Sequence, residues 1–150
     1  MSIFNALNTS GSALTAQRLR MDVVASNIAN AQTTRATINE NGEAEPYRRK
    51  MVVFEPRDGS FQSFLREAKD THAFTGGVKV TKIVEDDAPF KLVYNPDHPD
   101  ANEEGYVQLP NVDPLKEMVD LMSATRSYEA NVTALNATKT MLLKALEIGK

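Results

Sequence analysis

Apolar residues recur at helical intervals at both ends of this 150-residue chain. Near the start they lie seven residues apart, at Leu7, Leu14, Met21 and Ile28. Toward the end the same interval recurs at Leu121, Tyr128, Leu135 and Leu142, with Met118, Val132 and Leu146 on the interleaved three- and four-residue steps. Such repeats predict amphipathic helices whose narrow apolar stripes pack against other helices, as in a coiled coil. We therefore expect two terminal helices that need partners.

The first helix has recognisable limits in the sequence. The Ser2 hydroxyl can accept a hydrogen bond from a free backbone N–H at the start of this helix. Asn27 and Asn30, with the Gln and Thr residues that follow, compete for backbone hydrogen bonds and predict an end near Asn30. Gly11, in the middle, costs about 1 kcal/mol relative to Ala. It indicates either close approach of another helix or local tolerance.

The second helix is predicted to begin at Asp113-Pro114. Asp caps free amides, and a proline at the first helical position loses no hydrogen bond. The helix should run to about Ile148 and stop at Gly149.

The residues between the helices predict short strands. Segments 47–54, 77–84, 89–94 and 106–109 are rich in Val, Phe, Tyr and Ile, and Phe90, Leu92 and Tyr94 alternate strictly. Residues 36–46 are expected to form an exposed acidic loop with a turn around Asn41-Gly42. Residues 61–68 have helical spacing, compatible with a short helix or an ordered loop.

Together these segments predict an α+β fold with long N- and C-terminal helices and a small, mainly β central domain. The predicted boundaries are 1–35 for the first helix and its Asn/Thr turn, 36–112 for the central domain and 113–150 for the last helix. The roughly 75 central residues can build only a marginal core. Apolar surface on the helices must therefore be buried pairwise or between molecules.

Negative charge is concentrated in the middle of the chain. Of 17 basic and 20 acidic residues in all, nine basic and fourteen acidic ones fall in residues 36–110. The one basic run, Arg48-Arg49-Lys50, precedes apolar residues 51–54, and we interpret it as a strand flank rather than a phosphate site. Nucleic acid binding needs clustered cations, so no such partner is expected.

No membrane span or cleaved secretory signal is expected either. The longest apolar run, Met51 to Phe54, has four residues, whereas a bilayer requires roughly 20. The first basic residue, Arg18, follows a polar opening instead of preceding an apolar stretch.

Catalytic and metal-binding patterns are missing from the sequence. There are no cysteines, which excludes disulfides and thiolate sites. His72 and His98 lack a second ligand at zinc spacing. The acidic loop from Asp97 to Glu104 lacks the spacing of a calcium loop, and no nucleophile elbow or phosphate loop occurs. We expect no enzyme, no catalytic residue, no metal and no cofactor.

Several stretches resemble one family of proteins. Residues 14–34, which include Ser26-Asn-Ile-Ala-Asn30, resemble the N-terminal signature of flagellar rod and hook proteins. Residues 119–132 and 141–146 look like the paired C-terminal signature. Residues 46–54 and 94–112 look like the flagellar basal-body rod protein C family. Many related proteins have Gly-Tyr after the Asn-Thr-Thr turn, whereas Thr33-Thr34-Arg35 stands here, a departure that fits the proximal-rod type.

The resemblance implies a structural subunit of the proximal rod in the bacterial flagellar basal body. This rod joins the rotor ring to the distal rod and hook across the cell envelope and transmits torque. The implied partners are other rod proteins, further copies of the chain, a rotor-ring/rod adaptor protein and the flagellar type III export apparatus. In such proteins the two terminal helices pair as a coiled-coil-like inner layer around the export channel and assemble helically, and the central β-rich region forms an outer domain. The implied assembly interface comprises Leu7, Leu14, Met21, Ile28, Met118, Leu121, Tyr128, Val132, Leu135, Leu142 and Leu146.

The alternative function is that of a non-polymerising helical adaptor or binding module, since such a protein would present the same apolar stripes.

Overall fold

A computed structural model describes residues 3–38, 44–57 and 76–148. Within these ranges, helix α1 (Ile3–Ala29) is followed by six strands and helix α2 (Pro114–Ile148). The strands are β1 (Thr37–Ile38), β2 (Ala44–Glu45), β3 (Lys50–Pro56), β4 (Val78–Glu85), β5 (Lys91–Tyr94) and β6 (Tyr106–Leu109). The predicted α+β fold, with a helix at each end and short strands between them, is confirmed. In the described ranges, neither helix has a stretch long and apolar enough to cross a membrane.

Helix α2 begins where Asp113-Pro114 predicts. Asp113 Oδ1 accepts the N–H of Leu115 at 3.1 Å, and the Asp113 carbonyl accepts the N–H of Glu117 at 3.0 Å. The first bond satisfies an amide that has no partner inside the first helical turn, and the second is the first backbone hydrogen bond of the helix itself. Helix α1 ends at Ala29, one residue before the predicted end. The expected cap at Ser2 and stop at Gly149 lie outside the described residues.

The strands form three two-stranded sheets, β1–β2, β3–β4 and β5–β6. The loop predicted for residues 36–46 is wrong in part, because β1 and β2 pair antiparallel with Thr37 opposite Glu45. Strands of two residues are too short to show an alternating pattern, so they cannot be predicted from the order of apolar and polar residues. The turn expected at Asn41-Gly42 and the helical spacing of residues 61–68 fall outside the described ranges.

The turn between β5 and β6 depends on a glycine. Gly105 is buried and has a φ of 82°, in the left-handed region that side chains disfavour. A Cβ placed there would lie 2.9 Å from Tyr94 Cε2 and 3.3 Å from Pro96 Cβ. Both the backbone and the space available therefore require glycine.

The chain divides into two compact units. The first comprises Met1–Leu19, Val53–Lys82 and Ser123–Lys150. Within it, the Ser12 hydroxyl accepts the N–H of Val78 at 3.1 Å, which ties α1 to β4. Its buried apolar residues include Ala16 and Ala124. The predicted division at residues 35 and 112 stays a prediction.

The second unit comprises Arg20–Val52 and Ile83–Met122. Its buried apolar residues are Val23, Val24, Tyr47, Val107 and Val112. The largest fully buried side chains in the described part of the chain are Glu117, Asn27 and Pro110, all in this unit. A pair of polar side chains therefore lies at the centre of the second unit.

Candidate functional site

Asn27 joins α1 to both β3 and α2 through a fully buried side chain. Its Nδ2 donates to the Lys50 carbonyl at 2.8 Å and to Glu117 Oε2 at 2.9 Å. Its Oδ1 accepts the N–H of Lys50 at 2.9 Å and the Tyr47 hydroxyl at 3.0 Å. An amide side chain has two donor hydrogens and two acceptor lone pairs, so Asn27 is fully satisfied and fixes the three elements against one another.

Glu117 connects Asn27 to a guanidinium. Its Oε1 accepts from Arg49 Nε at 2.6 Å. Arg49 also lies 3.5 Å from Asp86 Oδ2 and 3.5 Å from Asp120 Oδ2, and Arg20 lies 3.3 Å from Asp120 Oδ1. A buried carboxylate is tolerated only when it is paired and hydrogen bonded, and Glu117 is both. We call Asn27, Tyr47, Arg49 and Glu117 the polar core.

The acidic neighbours of Arg49 keep its guanidinium protonated. Burial by itself would lower the pKa of Arg49, but the hydrogen bond and charge of Glu117, followed by those of Asp86, outweigh burial and raise it above its usual value. Arg49 therefore stays cationic. Strand β3 begins next to it, at Lys50. The interpretation of the basic run as a strand flank is thus supported, with Arg49 turned toward acidic groups of its own chain.

The sequence does not predict this polar core, because Asn27 belongs there to the polar cluster that predicts the end of α1. The structure places Asn27 inside α1, two residues before the helix ends. The signal was a polar residue on an apolar face: Glu117 lies four residues before Leu121 and seven before Ala124, which is buried. A polar residue on such a face predicts a buried partner, but the sequence does not identify which residue that partner is.

The polar core also sets the direction of helix packing in the second unit. Arg20 contacts Asp120, and Asn27 contacts Glu117. From the first contact to the second, the residue number rises in α1 and falls in α2. These parts of the two helices therefore run antiparallel. Of the stripe residues, Met21, Ile28, Met118 and Leu121 belong to these helical segments.

The residues expected at the assembly interface fall into two groups by exposure. Met118 is 53% exposed and Leu146 is 70% exposed. The others are half-buried, namely Leu7, Leu14, Met21, Ile28, Leu121, Tyr128, Val132, Leu135 and Leu142. Along α2 the half-buried positions keep the seven-residue spacing. The stripes are therefore covered in part by the chain itself and retain apolar surface, while their role in assembly stays a prediction.

A second polar contact joins the turn after α1 to Asp100. Asp100 accepts hydrogen bonds from Arg35, with which it also forms an ion pair, and from Thr34 Oγ1 at 2.7 Å. The hydrogen bond from Arg35, with a smaller contribution from Thr34, lowers the pKa of Asp100. The turn after α1 thereby holds the loop between β5 and β6. Across the described ranges, no group of three or more acidic or histidine residues is arranged to hold a metal ion.

Comparison with known proteins gives matches at both ends and over the full length. The family described as "Flagella basal body rod protein" matches residues 7–37, and the family described as "Flagellar basal body rod FlgEFG protein C-terminal" matches residues 103–148. The flagellar basal-body rod protein FlgC of Bacillus subtilis (strain 168) is 66% identical over 151 residues, which cover 100% of both chains. The protein of the same name from Escherichia coli O6:H1 is 45% identical over 100% of both chains. That of Borreliella burgdorferi is 42% identical over 99% of this chain and 98% of its own.

Proposed function

This chain belongs to the FlgC family of flagellar basal-body rod proteins, and from that premise we propose that its two terminal helices build it into the wall of the proximal rod. Its place in the family makes it a structural subunit of the bacterial flagellum, located in the basal body, and not an enzyme. Family membership also implies assembly with other rod proteins. The proposal concerns how the chain joins that assembly.

The observation that carries the proposal is the apolar surface left on the two helices. The heptad residues are half-buried in the single chain, and α2 in addition exposes Met141 (63%), Leu143 (52%), Leu146 (70%) and Ile148 (86%) near its end. A helix end exposing several large apolar side chains is not stable in water by itself. Neighbouring helices in a rod would cover these side chains and complete the seam.

In this proposal the helices form the inner layer around the export channel and the strands form the outer layer. Further copies of the chain and other rod proteins supply the covering helices. The rotor-ring/rod adaptor protein lies at one end of the rod, and the flagellar type III export apparatus delivers the subunit. The polar core supports this role because it holds α1, β3 and α2 in one register, so torque on a helix reaches the strands without slippage.

The test is complementation in a motile bacterium that lacks its own protein of this family. We expect this chain to restore swimming and to be present in purified basal bodies in a fixed ratio to the other rod proteins. A non-polymerising adaptor would instead be lost during purification of the basal bodies or bind a single partner outside the rod. Either of those results would contradict the proposal.

A further inference from the structure

The loop between β5 and β6 holds Asp100 from two sides. The backbone N–H of Asp100 donates to His98 Nδ1 at 3.1 Å, within the loop. The carboxylate of Asp100 accepts hydrogen bonds from the turn after α1, with Thr34 Oγ1 bound to Oδ2 at 2.7 Å and Arg35 Nε bound to Oδ1. We call Thr34, Arg35 and Asp100 the Asp100 cluster. His98 therefore contacts the residue that joins this loop to the turn after α1.

The hydrogen bond at His98 Nδ1 depends on the protonation state of the ring. A ring nitrogen that accepts an N–H carries no proton, so His98 is in its neutral form with the proton on Nε2. A second proton must bind Nδ1, because that atom has the only free lone pair of the ring. Nδ1 then becomes a donor and faces the N–H of Asp100, which is also a donor. Protonation of His98 therefore ends this hydrogen bond.

A protonated Nδ1 has a carboxylate close by. Nδ1 lies 3.8 Å from Oδ2 of Asp100, which is beyond hydrogen-bond distance. A relative movement of about 1 Å would bring the two atoms to the roughly 2.8 Å of a charge-assisted hydrogen bond. Oδ2 is also the oxygen that accepts from Thr34 Oγ1. The hydroxyl of Thr34 and a protonated His98 therefore compete for one oxygen atom.

Charged groups near His98 come from three elements. Asp97 precedes it in the loop and Asp100 follows it. Arg35, from the turn after α1, binds Asp100, and Glu45 of β2 lines the same cavity as Arg35 and Asp100. The carboxylates favour a positive charge on the ring, whereas the guanidinium of Arg35 opposes it. Among the described residues, only the carboxylate of Asp100 lies within 4 Å of a ring nitrogen of His98, so it is the acceptor that a new N–H meets.

We propose that His98 is a pH-sensitive switch for the Asp100 cluster: protonation of Nδ1 ends its bond with the Asp100 N–H and draws the carboxylate from Thr34 toward the ring. Histidine changes charge between about pH 5 and 8. Hydrogen bonds from Arg35 and Thr34 lower the pKa of Asp100, so its carboxylate stays charged over that range. In mild acid the loop therefore loses its contact with Thr34 and keeps the ion pair with Arg35. The inference concerns a single chain and does not depend on rod assembly.

An NMR titration of the whole isotope-labelled chain, from about pH 8 to about pH 5, tests the proposal. The chain has two histidines, His72 and His98, so each ring can be assigned by removing the other. In His98→Asn, the side-chain oxygen of Asn can accept the N–H of Asp100 but does not titrate. His72→Asn is the matched control, because it removes the other histidine and leaves the Asp100 cluster unchanged.

We expect the amide resonances of Asp100 and Thr34, and the methyl resonance of Thr34, to shift with the midpoint of the His98 ring in the wild type and in His72→Asn. These shifts should be absent in His98→Asn. Resonances of Asp100 and Thr34 that stay constant while the His98 ring titrates would overturn the proposal, and so would shifts that persist in His98→Asn. A shift of Asp100 without Thr34 also overturns it, because the histidine would then not move the carboxylate. If His98→Asn fails to fold, the wild type and His72→Asn still decide whether the shifts follow the His98 ring.

Discussion

Asn27 and Glu117, 90 positions apart in the sequence, share a 2.9 Å hydrogen bond in which both side chains are fully buried. Buried polar pairs contribute little net stability compared with apolar residues of the same shape, but removing one member leaves the other unpaired at a large cost. They also define register, because only one alignment of the elements satisfies every group. We interpret the polar core as the device that sets α1 against α2.

Removing Glu117 should destabilise the protein strongly. Glu117→Ala leaves the guanidinium of Arg49 partly buried without its closest partner, at a cost of about 3–5 kcal/mol. Glu117→Gln keeps a hydrogen bond acceptor and should cost less. Urea unfolding followed by circular dichroism measures both. Equal stabilities for Glu117→Ala and the wild type would show that the polar core does not hold the second unit together.

Two glycines should respond to alanine in opposite directions. Gly105→Ala forces a side chain into the left-handed region and against Tyr94, so it should destabilise by about 1–2 kcal/mol or more. At Gly11, inside α1, an added Cβ meets nothing within 4 Å. Gly11→Ala should therefore stabilise by about 0.5–1 kcal/mol. Thermal unfolding of the two variants provides the comparison, and a loss of stability at Gly11 would mean that another helix approaches there.

The contact between Arg35 and Asp100 predicts that the stability of the folded protein decreases in acid. Because the pKa of Asp100 is lowered in the folded protein, its contribution to stability is complete above the ordinary carboxyl pKa of about 3.9 and is lost as the pH falls below that value. NMR titration of the Asp100 carboxyl should show its pKa rise toward the ordinary value in Arg35→Met and rise less in Thr34→Val. An unchanged pKa in Arg35→Met would contradict the contact.

The heptad stripe on α2 should tolerate no charge in the rod. Leu135→Asp and Leu142→Asp place a carboxylate on the seam, which costs little in the monomer, about 1 kcal/mol, but is expensive once neighbours exclude water. Swimming and rod assembly should be lost while urea unfolding of the isolated protein changes only slightly. Thr133→Asp, at an exposed position two residues before Leu135, is the control and should leave swimming intact. Normal motility in both leucine variants would disprove the claim that Leu135 and Leu142 lie on a seam between subunits.

Local signals in the sequence predicted most of the elements. Asp113-Pro114 marked the start of α2, the Asn and Thr cluster marked the end of α1 to within one residue, and the alternation of Leu92 and Tyr94 marked β5. Capping and alternation depend on neighbours in the chain, so they can be identified from sequence.

The polar core and the exposure of individual stripe residues could not be predicted in the same way. Arg49 and Glu117 are 68 positions apart, and which distant group a buried charge meets depends on the tertiary fold. The sequence places Met118 and Leu121 in the same helix seam, because a spacing of three and four residues does not distinguish two faces when apolar residues occupy both. Exposure in the structure separates Met118 from Leu121.

The central claim is that the terminal helices form the wall of the rod, and a density map of the intact basal body containing this chain tests it most directly. We expect α1 and α2 to line the export channel, with Leu14, Leu135 and Leu142 buried between subunits and the strands β3 to β6 outside them. A map in which the strands line the channel, or in which the two helices contact no neighbouring subunit, would contradict the account.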